Sequence, residues 1–318
     1  MKVLIVANYN PGRFSPFVVE QVESLEKLGI EFDFFGIIGK GPLGYLKNLP
    51  ALKRKIKEWK PDLIHAHYGL SGLLATLQNK VPVIVTYHGS DIHSGGLVQK
   101  LSKVAMKRAA HNIVVARHLK DMIGNVPRCS IIPCGVDDHI FYPISRTEAR
   151  KALGWSMDKR YVLFAGAFNR EVKNPQLAKD IVASVGDCEL IELNGYTRPE
   201  VNLLMNACDS LLMTSRNEGS PQVIKEAMCC GTPIVSVDVG DVADVCGDVD
   251  GCYICKPDVK DLKKAIISAF AFAGETSGPE IVRQKQLSMD NVARKVLAIY
   301  KSFLDDKGKN FDSNDEDL

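Results

Sequence analysis

Ser210-Leu-Leu-Met-Thr-Ser-Arg-Asn-Glu218-Gly-Ser-Pro-Gln-Val-Ile-Lys-Glu226-Ala-Met-Cys-Cys-Gly231-Thr-Pro-Ile-Val-Ser-Val237 is the stretch that decides the architecture. Residues 210–214 and 233–237 are short apolar runs of strand length. Between them, Ser220 is a good N-cap and Pro221 a good first helical residue. The pattern over 221–229 is helical, and Gly231 closes it. Strand, loop, helix, turn and strand in that order make a crossover unit, which joins parallel strands.

The same alternation extends in both directions. Upstream, strands are expected at 3–7, 32–38, 63–67, 83–88, 113–116 and 130–134. Helical patterns intervene, such as 17–28 with Val18, Val22, Leu25 and Leu28 on one face. It restarts at 162–166, 189–193, 210–214, 233–237 and 253–255, with helices such as 175–185. Near-continuous apolar strands between helices mean parallel sheets buried on both faces. The expected fold class is therefore α/β, with two Rossmann-like domains whose parallel sheets face across a cleft. Residues 1–143 form the first domain and 144–304 the second. A final helix over 280–304 can pack back on the first domain, and an acidic stretch, 305–318, lacks any apolar period and is expected to be disordered. In open α/β sheets ligands sit beyond the carboxyl ends of the strands, so function belongs in the post-strand loops.

Composition narrows the class. With 318 residues, 46% apolar and 25% charged, the chain has an ordinary globular mix for two domains. A net charge of +2 gives no footprint for nucleic acid. That total is uneven: residues 1–143 carry 18 basic against 11 acidic side chains, residues 144–304 carry 20 against 21, and residues 305–318 carry 2 against 6. The N-terminal MKVLIVANYN reads as a strand rather than a signal peptide, and no run approaches the roughly 20 apolar residues of a membrane helix. A cytoplasmic chain is expected, with peripheral association at the inner face of the cell membrane. The nine cysteines read as free thiols. Cys252-x-x-Cys255 has no second pair and no nearby histidine to complete a metal site, because all seven histidines lie at or before His139.

Four loops carry chemistry. In 216–233, the exposed amides from Gly219 to Val223 and the helix dipole favour a phosphate or polar sugar oxygens. Glu226 lies roughly 9 Å along the axis from the helix cap and Glu218 sits just ahead of that cap, a spacing for hydroxyls at two ends of one elongated polyol. In 166–175, Arg170 and Lys173 precede a helix opened by Pro175, where two cations suit a diphosphate. Thr86-Tyr-His88-Gly can aim an imidazole from the end of a strand. In Asn10-Pro-Gly12-Arg13-Phe14, Gly12 lets backbone approach a ligand. None of these is a GxGxxG, so no NAD or FAD is implied.

Together these residues resemble the retaining GT-B glycosyltransferases of family four. Glu218 and Glu226, seven residues apart in EGSPQVIKEAMCCGTPIVS, resemble the family's E-x7-E signature. Ile132-Pro-Cys-Gly135-Val-Asp137 followed by Phe141-Tyr-Pro143, Thr86-Tyr-His88-Gly, Asp62-Leu-Ile-His65-Ala-His67 and Lys173-Asn-Pro175 are also similar to family segments. The resemblance covers nearly the whole chain. It implies a nucleotide-sugar donor held by the second domain, with UDP preferred. Glu226 would bond ribose hydroxyls and Glu218 a hydroxyl of the transferred sugar. Gly219, Ser220 and Pro221 would contact that sugar through backbone, with Val223 and Gly12 also at the donor. Arg170 and Lys173 would neutralise the diphosphate, His88 would face the sugar, and Asn194-Gly-Tyr196 would hold the base. The resemblance implies no metal and no other cofactor. It implies transfer of a hexose-type sugar to a saccharide or lipid-linked saccharide acceptor, and the run GDVADVCGDVDGCYIC resembles a bacterial subgroup of surface-polysaccharide enzymes.

Three places depart from the family pattern: Ala167 where an arginine is usual, a single Gly12, and Gly240-Asp-Val-Ala-Asp244. A nucleotide-sugar 2-epimerase and a catalytically dead nucleotide-sugar binder share the fold and are the alternatives. The basic amphipathic segment 52–60 and the cluster Lys100, Lys103, Lys107 and Arg108 suit either solvated helix faces or an anionic membrane surface.

Overall fold

The computed structural model describes residues 1–10, 12–93, 95–272 and 274–312, with side chains described to residue 303. The chain divides into two compact units. Unit 1 is Met1–Pro133 together with the helix that begins at Met289, and unit 2 is Cys134–Ser288.

Unit 1 holds β1 (Lys2–Asn8), β2 (Glu31–Ile37), β3 (Leu63–His67), β4 (Val83–Tyr87), β5 (His111–Val114) and β6 (Cys129–Ile131). They form one sheet in the order β2-β1-β3-β4-β5-β6. Every pairing is parallel, with Val3 opposite both Phe32 and Leu63. Val3, Leu4, Ile5 and Val6 are all buried. Successive strand side chains point to opposite faces, so the sheet is covered on both sides.

The expected final helix is two helices. Gly278–Gln284 belongs to unit 2, and Met289–Asp312 belongs to unit 1. The break falls where Gln286 takes a left-handed φ of 53°. Val292, Ala293, Val296 and Tyr300 then pack with Val18, Val22 and Leu25 in the unit 1 core. The second helix continues to Asp312, past the position 304 at which the apolar period stops; no proline interrupts it. Residues 313–318 of the expected acidic tail lie outside the described residues.

Unit 2 holds β7 (Arg160–Phe164), β8 (Cys188–Glu192), β9 (Ser210–Met213), β10 (Ile234–Val237) and β11 (Cys252–Cys255). The sheet order is β11-β10-β9-β7-β8, again all parallel. Residues 134–143, expected with the first domain, lie in unit 2. Val136 and Phe141 are buried in its core, and Gln222 Nε2 donates to Gly135 O at 2.8 Å.

In each sheet the first strand is flanked by the two that follow it: β1 by β2 and β3, β7 by β8 and β9. Successive crossovers therefore leave in opposite directions at those strands. Such a switch point opens a crevice at the carboxyl ends. In unit 2 that crevice is framed by the loops after β7 and β9.

Candidate active site

The loop after β7 is shaped by one glycine. A Cβ on Gly166 would lie 2.9 Å from Lys173 Cγ and 3.2 Å from Cδ, so the bare glycine makes room for the lysine stem. A short 3₁₀ turn, Glu171–Lys173, leads through Asn174 in the left-handed conformation to the helix Pro175–Val185. Thr214 Oγ1 lies 2.9 Å from Lys173 O and 3.0 Å from Asn174 O, and Arg216 N donates to Val172 O at 2.8 Å. These bonds fix the post-β7 loop against the segment after β9. Lys173 Nζ then meets Glu218 Oε1 at 2.7 Å, with only 15% and 17% of the two side chains exposed. Arg170 is exposed, and its backbone N–H closes the turn on Ala167 O at 3.1 Å. The structure thus brings Lys173 to Glu218, while Arg170 stays on the surface.

The helix after β9 runs Gln222–Cys229, and its N-cap position is Pro221, without a side-chain cap. Ser220, expected as the cap, is used otherwise. Its hydroxyl lies 2.6 Å from Asp241 Oδ2 and 2.6 Å from Lys225 Nζ, and it accepts from Cys134 N at 3.2 Å. Lys225 Nζ also reaches Asp241 Oδ2 at 3.0 Å, and Lys225 is wholly buried. A buried charge pair holds its place only with good geometry and further hydrogen bonds, and the serine hydroxyl supplies them. Ser220 therefore gives up capping to satisfy a buried lysine and aspartate. Gly240 packs beside them: it has φ +67°, and a Cβ there would lie 2.8 Å from Gly219 O and 3.2 Å from Glu218 Cβ. The Gly240-Asp241 departure in the sequence thus sits directly under the Glu218–Pro221 loop.

Glu226 is buried and has a partner that sequence reasoning missed. Arg198 Nη1 donates to Glu226 Oε1 at 2.8 Å, and its guanidinium lies 4.6 Å from the centre of the Phe141 ring. Arg198 opens the helix Arg198–Ala207, just after the loop that contains Asn194 and Tyr196. The signal that could have found it is Thr197-x-x-Glu200, a helix-start pattern; Glu200 Oε2 accepts from Thr197 N at 2.7 Å. Asn194 and Tyr196 are exposed, Gly219 and Pro221 are buried, and Val223 is half-buried. A concavity of about 740 Å³ at the carboxyl ends of β9, β10 and β11 adjoins this region, with Asn174, Thr214, Arg216 and Lys256 in its wall.

Unit 1 has its own cluster at the carboxyl ends of β3 and β4. His67 Nδ1 and His88 Nε2 are 3.1 Å apart. His65 sits between Tyr300 Oη at 2.6 Å and Thr86 Oγ1 at 2.8 Å. Phe17 and Tyr68 rings lie 4.7 Å from that of His88. Burial pushes all three imidazoles down, His67 to about 3 and His65 and His88 well below the usual histidine range, with neighbouring imidazoles adding to the effect on the last two. His88 is thus a neutral imidazole at pH 7. Burial pushes Asp91 up to about 6, against backbone N–H groups that include those of Gly69 and Gly89 at 3.0 Å. Tyr68, directly after β3, has φ 73°, a strained conformation for a bulky residue. Gly12 has φ +73° with open space around it, and Asn10 ties its loop to Gly39 N at 2.7 Å.

The basic helix Leu49–Trp59 buries Leu52 and Ile56, so its apolar face belongs to the core of unit 1. On the helix Gly96–Arg108, however, Leu97 is 61% and Val104 44% exposed. They share a face with the exposed Lys100 and Lys107. The nine cysteines are free thiols, and burial raises Cys134 to about 11.

Comparison with known proteins places both units. The Glycosyltransferase Family 4 model matches residues 4–139, and the Glycosyl transferases group 1 model matches residues 158–271. TuaC of Bacillus subtilis, named for teichuronic acid biosynthesis, is 27% identical over 241 residues, covering 67% of this chain and 62% of its own length. The chain thus spans less than two thirds of that relative. Sucrose-phosphate synthase of Thermosynechococcus elongatus superposes with a TM-score of 0.80 at 20% identity, over 95% of this chain and 98% of its own. HepE of Anabaena, solved with UDP, gives 0.76 at 16%, over 95% and 100%.

Proposed function

We propose, for a chain that belongs to the GT-B glycosyltransferases by its family 4 front part and group 1 back part, that it moves a hexose-type sugar from a nucleotide-sugar to a saccharide or lipid-linked saccharide with retention at the anomeric carbon. The observation that carries this reading is the pair of ion pairs in unit 2, Lys173–Glu218 and Arg198–Glu226. They bring together two carboxylates from the segment after β9 and two cations from the segments after β7 and β8. Complexes of HepE with UDP and with UDP-glucose favour a uridine donor.

Without donor, Lys173 and Glu218 neutralise each other. A diphosphate takes Lys173, which releases Glu218 to accept a sugar hydroxyl. Arg198 occupies Glu226 Oε1, which leaves Oε2 for the ribose hydroxyls. The exposed Arg170 closes onto the diphosphate as a second cation. In the chemical step the acceptor oxygen bonds to the anomeric carbon as the bond to the phosphate oxygen breaks. The hydroxyl proton passes to that departing oxygen, and nucleoside diphosphate leaves. Lys173 stabilises the charge that grows on it. His88, neutral and held by His67, acts in turnover rather than in donor capture. No protein carboxylate needs to become a nucleophile, and no metal is needed where the cations already stand.

NMR of a reaction with UDP-hexose and acceptor tests this reading. The product keeps the donor's anomeric configuration, and Glu218→Ala lowers kcat/KM about 100-fold, or about 2.7 kcal/mol of transition-state stabilisation. A sugar altered at C2 without acceptor would identify an epimerase, and full activity of the variant would remove Glu218 from its role.

A further inference from the structure

A second polar concavity lies in unit 2 at the amino ends of β7 and β9, the edge of the sheet away from Lys173 and Glu218. Its volume is about 360 Å³, and four cationic side chains, Arg146, Arg150, Lys159 and Arg160, line it with only two carboxylates, Asp158 and Asp209. Three of the cations converge on Asp209. Arg146 Nη1 at 3.3 Å and Arg160 Nη1 at 2.8 Å share its Oδ1, while Arg150 Nη2 at 2.8 Å takes Oδ2. Tyr161 N donates to the same Oδ2 at 2.7 Å. The carboxylate is 1% exposed and fully subscribed.

The three arginines are not equivalent. Arg150 is buried and committed, with Nε on Ala207 O at 2.9 Å and Nη1 on Met157 O at 3.1 Å. It answers the structural need of a buried aspartate. Arg146 and Arg160 go beyond that need. Their side chains are 39% and 47% exposed, and each meets Asp209 through a single Nη1. A guanidinium carries five N–H donors in a rigid fork, so most of their donors remain directed elsewhere. Arg160 is also braced, its guanidinium 5.5 Å from the centre of the Phe270 ring. Lys159 adds an exposed ammonium that reaches Glu189 at 3.6 Å. Two guanidiniums held on one oxygen atom repel each other, and an anion between them relieves that repulsion while accepting their unused N–H groups.

We propose that this concavity is a binding site for a phosphate group, as inorganic phosphate or a sugar monophosphate, built by Arg146 and Arg160 on the Arg150–Asp209 pair and separate from the donor site. Carboxylate ligands fit less well. Tetrahedral phosphate offers oxygens to two guanidiniums approaching from different helical and strand positions, and the cavity accommodates a phosphate with an attached small sugar.

Titration calorimetry on the full chain with inorganic phosphate and with glucose 1-phosphate tests this, with chloride matched for ionic strength. Wild type binds phosphate, and Arg146→Gln and Arg160→Gln each weaken it at least about tenfold. Arg160→Lys keeps the pair with Asp209 but loses the fork, and weakens binding less; it serves if the glutamine variants fold poorly. The arginine substitutions are also made in a Lys173→Ala background, where phosphate held at the proposed donor site cannot contribute to the loss, so the outcome is independent of the transferase reading. Tighter binding of glucose 1-phosphate than of phosphate identifies the sugar phosphate as the ligand, and the reverse order identifies free phosphate. Binding no stronger than chloride's, or unchanged in both arginine variants, overturns the proposal.

Discussion

Lys225 shows how far a residue's type can mislead. A lysine is rarely buried unless paired, yet Lys225, beside Glu226 in the helix Gln222–Cys229, is wholly buried and bonded to Asp241 and Ser220. The position follows from the helix: its neighbours Ile224, Glu226, Ala227 and Met228 are buried too, so no side of that turn faces water. Removing one partner of a buried pair leaves an uncompensated charge, at about 3–5 kcal/mol. Lys225→Met is therefore expected to lower the urea-unfolding free energy by that order, and Lys225→Met with Asp241→Asn to recover part of it. Additive losses in the double variant would mean that the two residues do not act as a pair. Glu218 and Glu226 stand out in the sequence because their spacing suits two hydroxyls of one polyol and resembles the family's E-x7-E signature, and their ion pairs with Lys173 and Arg198 are seen only in the fold. Arg198 and Asp241 do not stand out, because each comes from a different post-strand segment and only the folded sheet brings them in.

At the scale of elements, the ends of β3 and β4 hold a cluster of buried titratable groups. His65, His67 and His88 have folded values depressed by burial, His67 to about 3. As pH falls through about 6.5 the unfolded chain takes up protons that the folded chain refuses, so stability is lost on acidification. Asp91, raised to about 6 by burial, works in the opposite sense: the folded chain protonates it first, which adds stability as pH falls from about 6 to about 4. Three imidazoles outweigh one carboxyl. Thermal melts are expected to show unit 1 weakening by a few kcal/mol between pH 7 and pH 5, and a melting temperature that holds or rises over that range would show that the imidazoles are not buried neutral. Most strands and the helix spacing were legible from periodicity. The split of the last helix was not, because Gln286, a non-glycine residue in a left-handed conformation, is not an obvious stop signal.

At the scale of the molecule, the uneven charge now has a location. The basic helix Leu49–Trp59 has its apolar face in the core, so of the two basic segments it is Gly96–Arg108 that exposes apolar side chains, Leu97 and Val104, beside Lys100 and Lys107. Charge can attract a helix to anionic lipid, but only exposed apolar groups add burial at the interface. Sedimentation with anionic vesicles at low salt is expected to be reduced by Leu97→Ser with Val104→Ser and unaffected by Lys53→Gln with Lys57→Gln; the opposite pattern would return the docking surface to the first helix. Among the described residues no helix is long and apolar enough to cross a membrane. The two-unit α/β plan was legible from the restart of the strand–helix alternation. Its boundary was placed late, since Val136 and Phe141 are buried in the second unit's core and no composition shift marks them. On the proposed function, unit 2 captures a nucleotide-sugar through Glu226 and Lys173. Calorimetric titration of UDP-glucose into wild type and Glu226→Ala tests it most directly. Saturable binding that weakens at least about tenfold in the variant is the predicted result. Equal affinity in the two proteins, or no binding of UDP or any nucleotide-sugar to wild type, would contradict it.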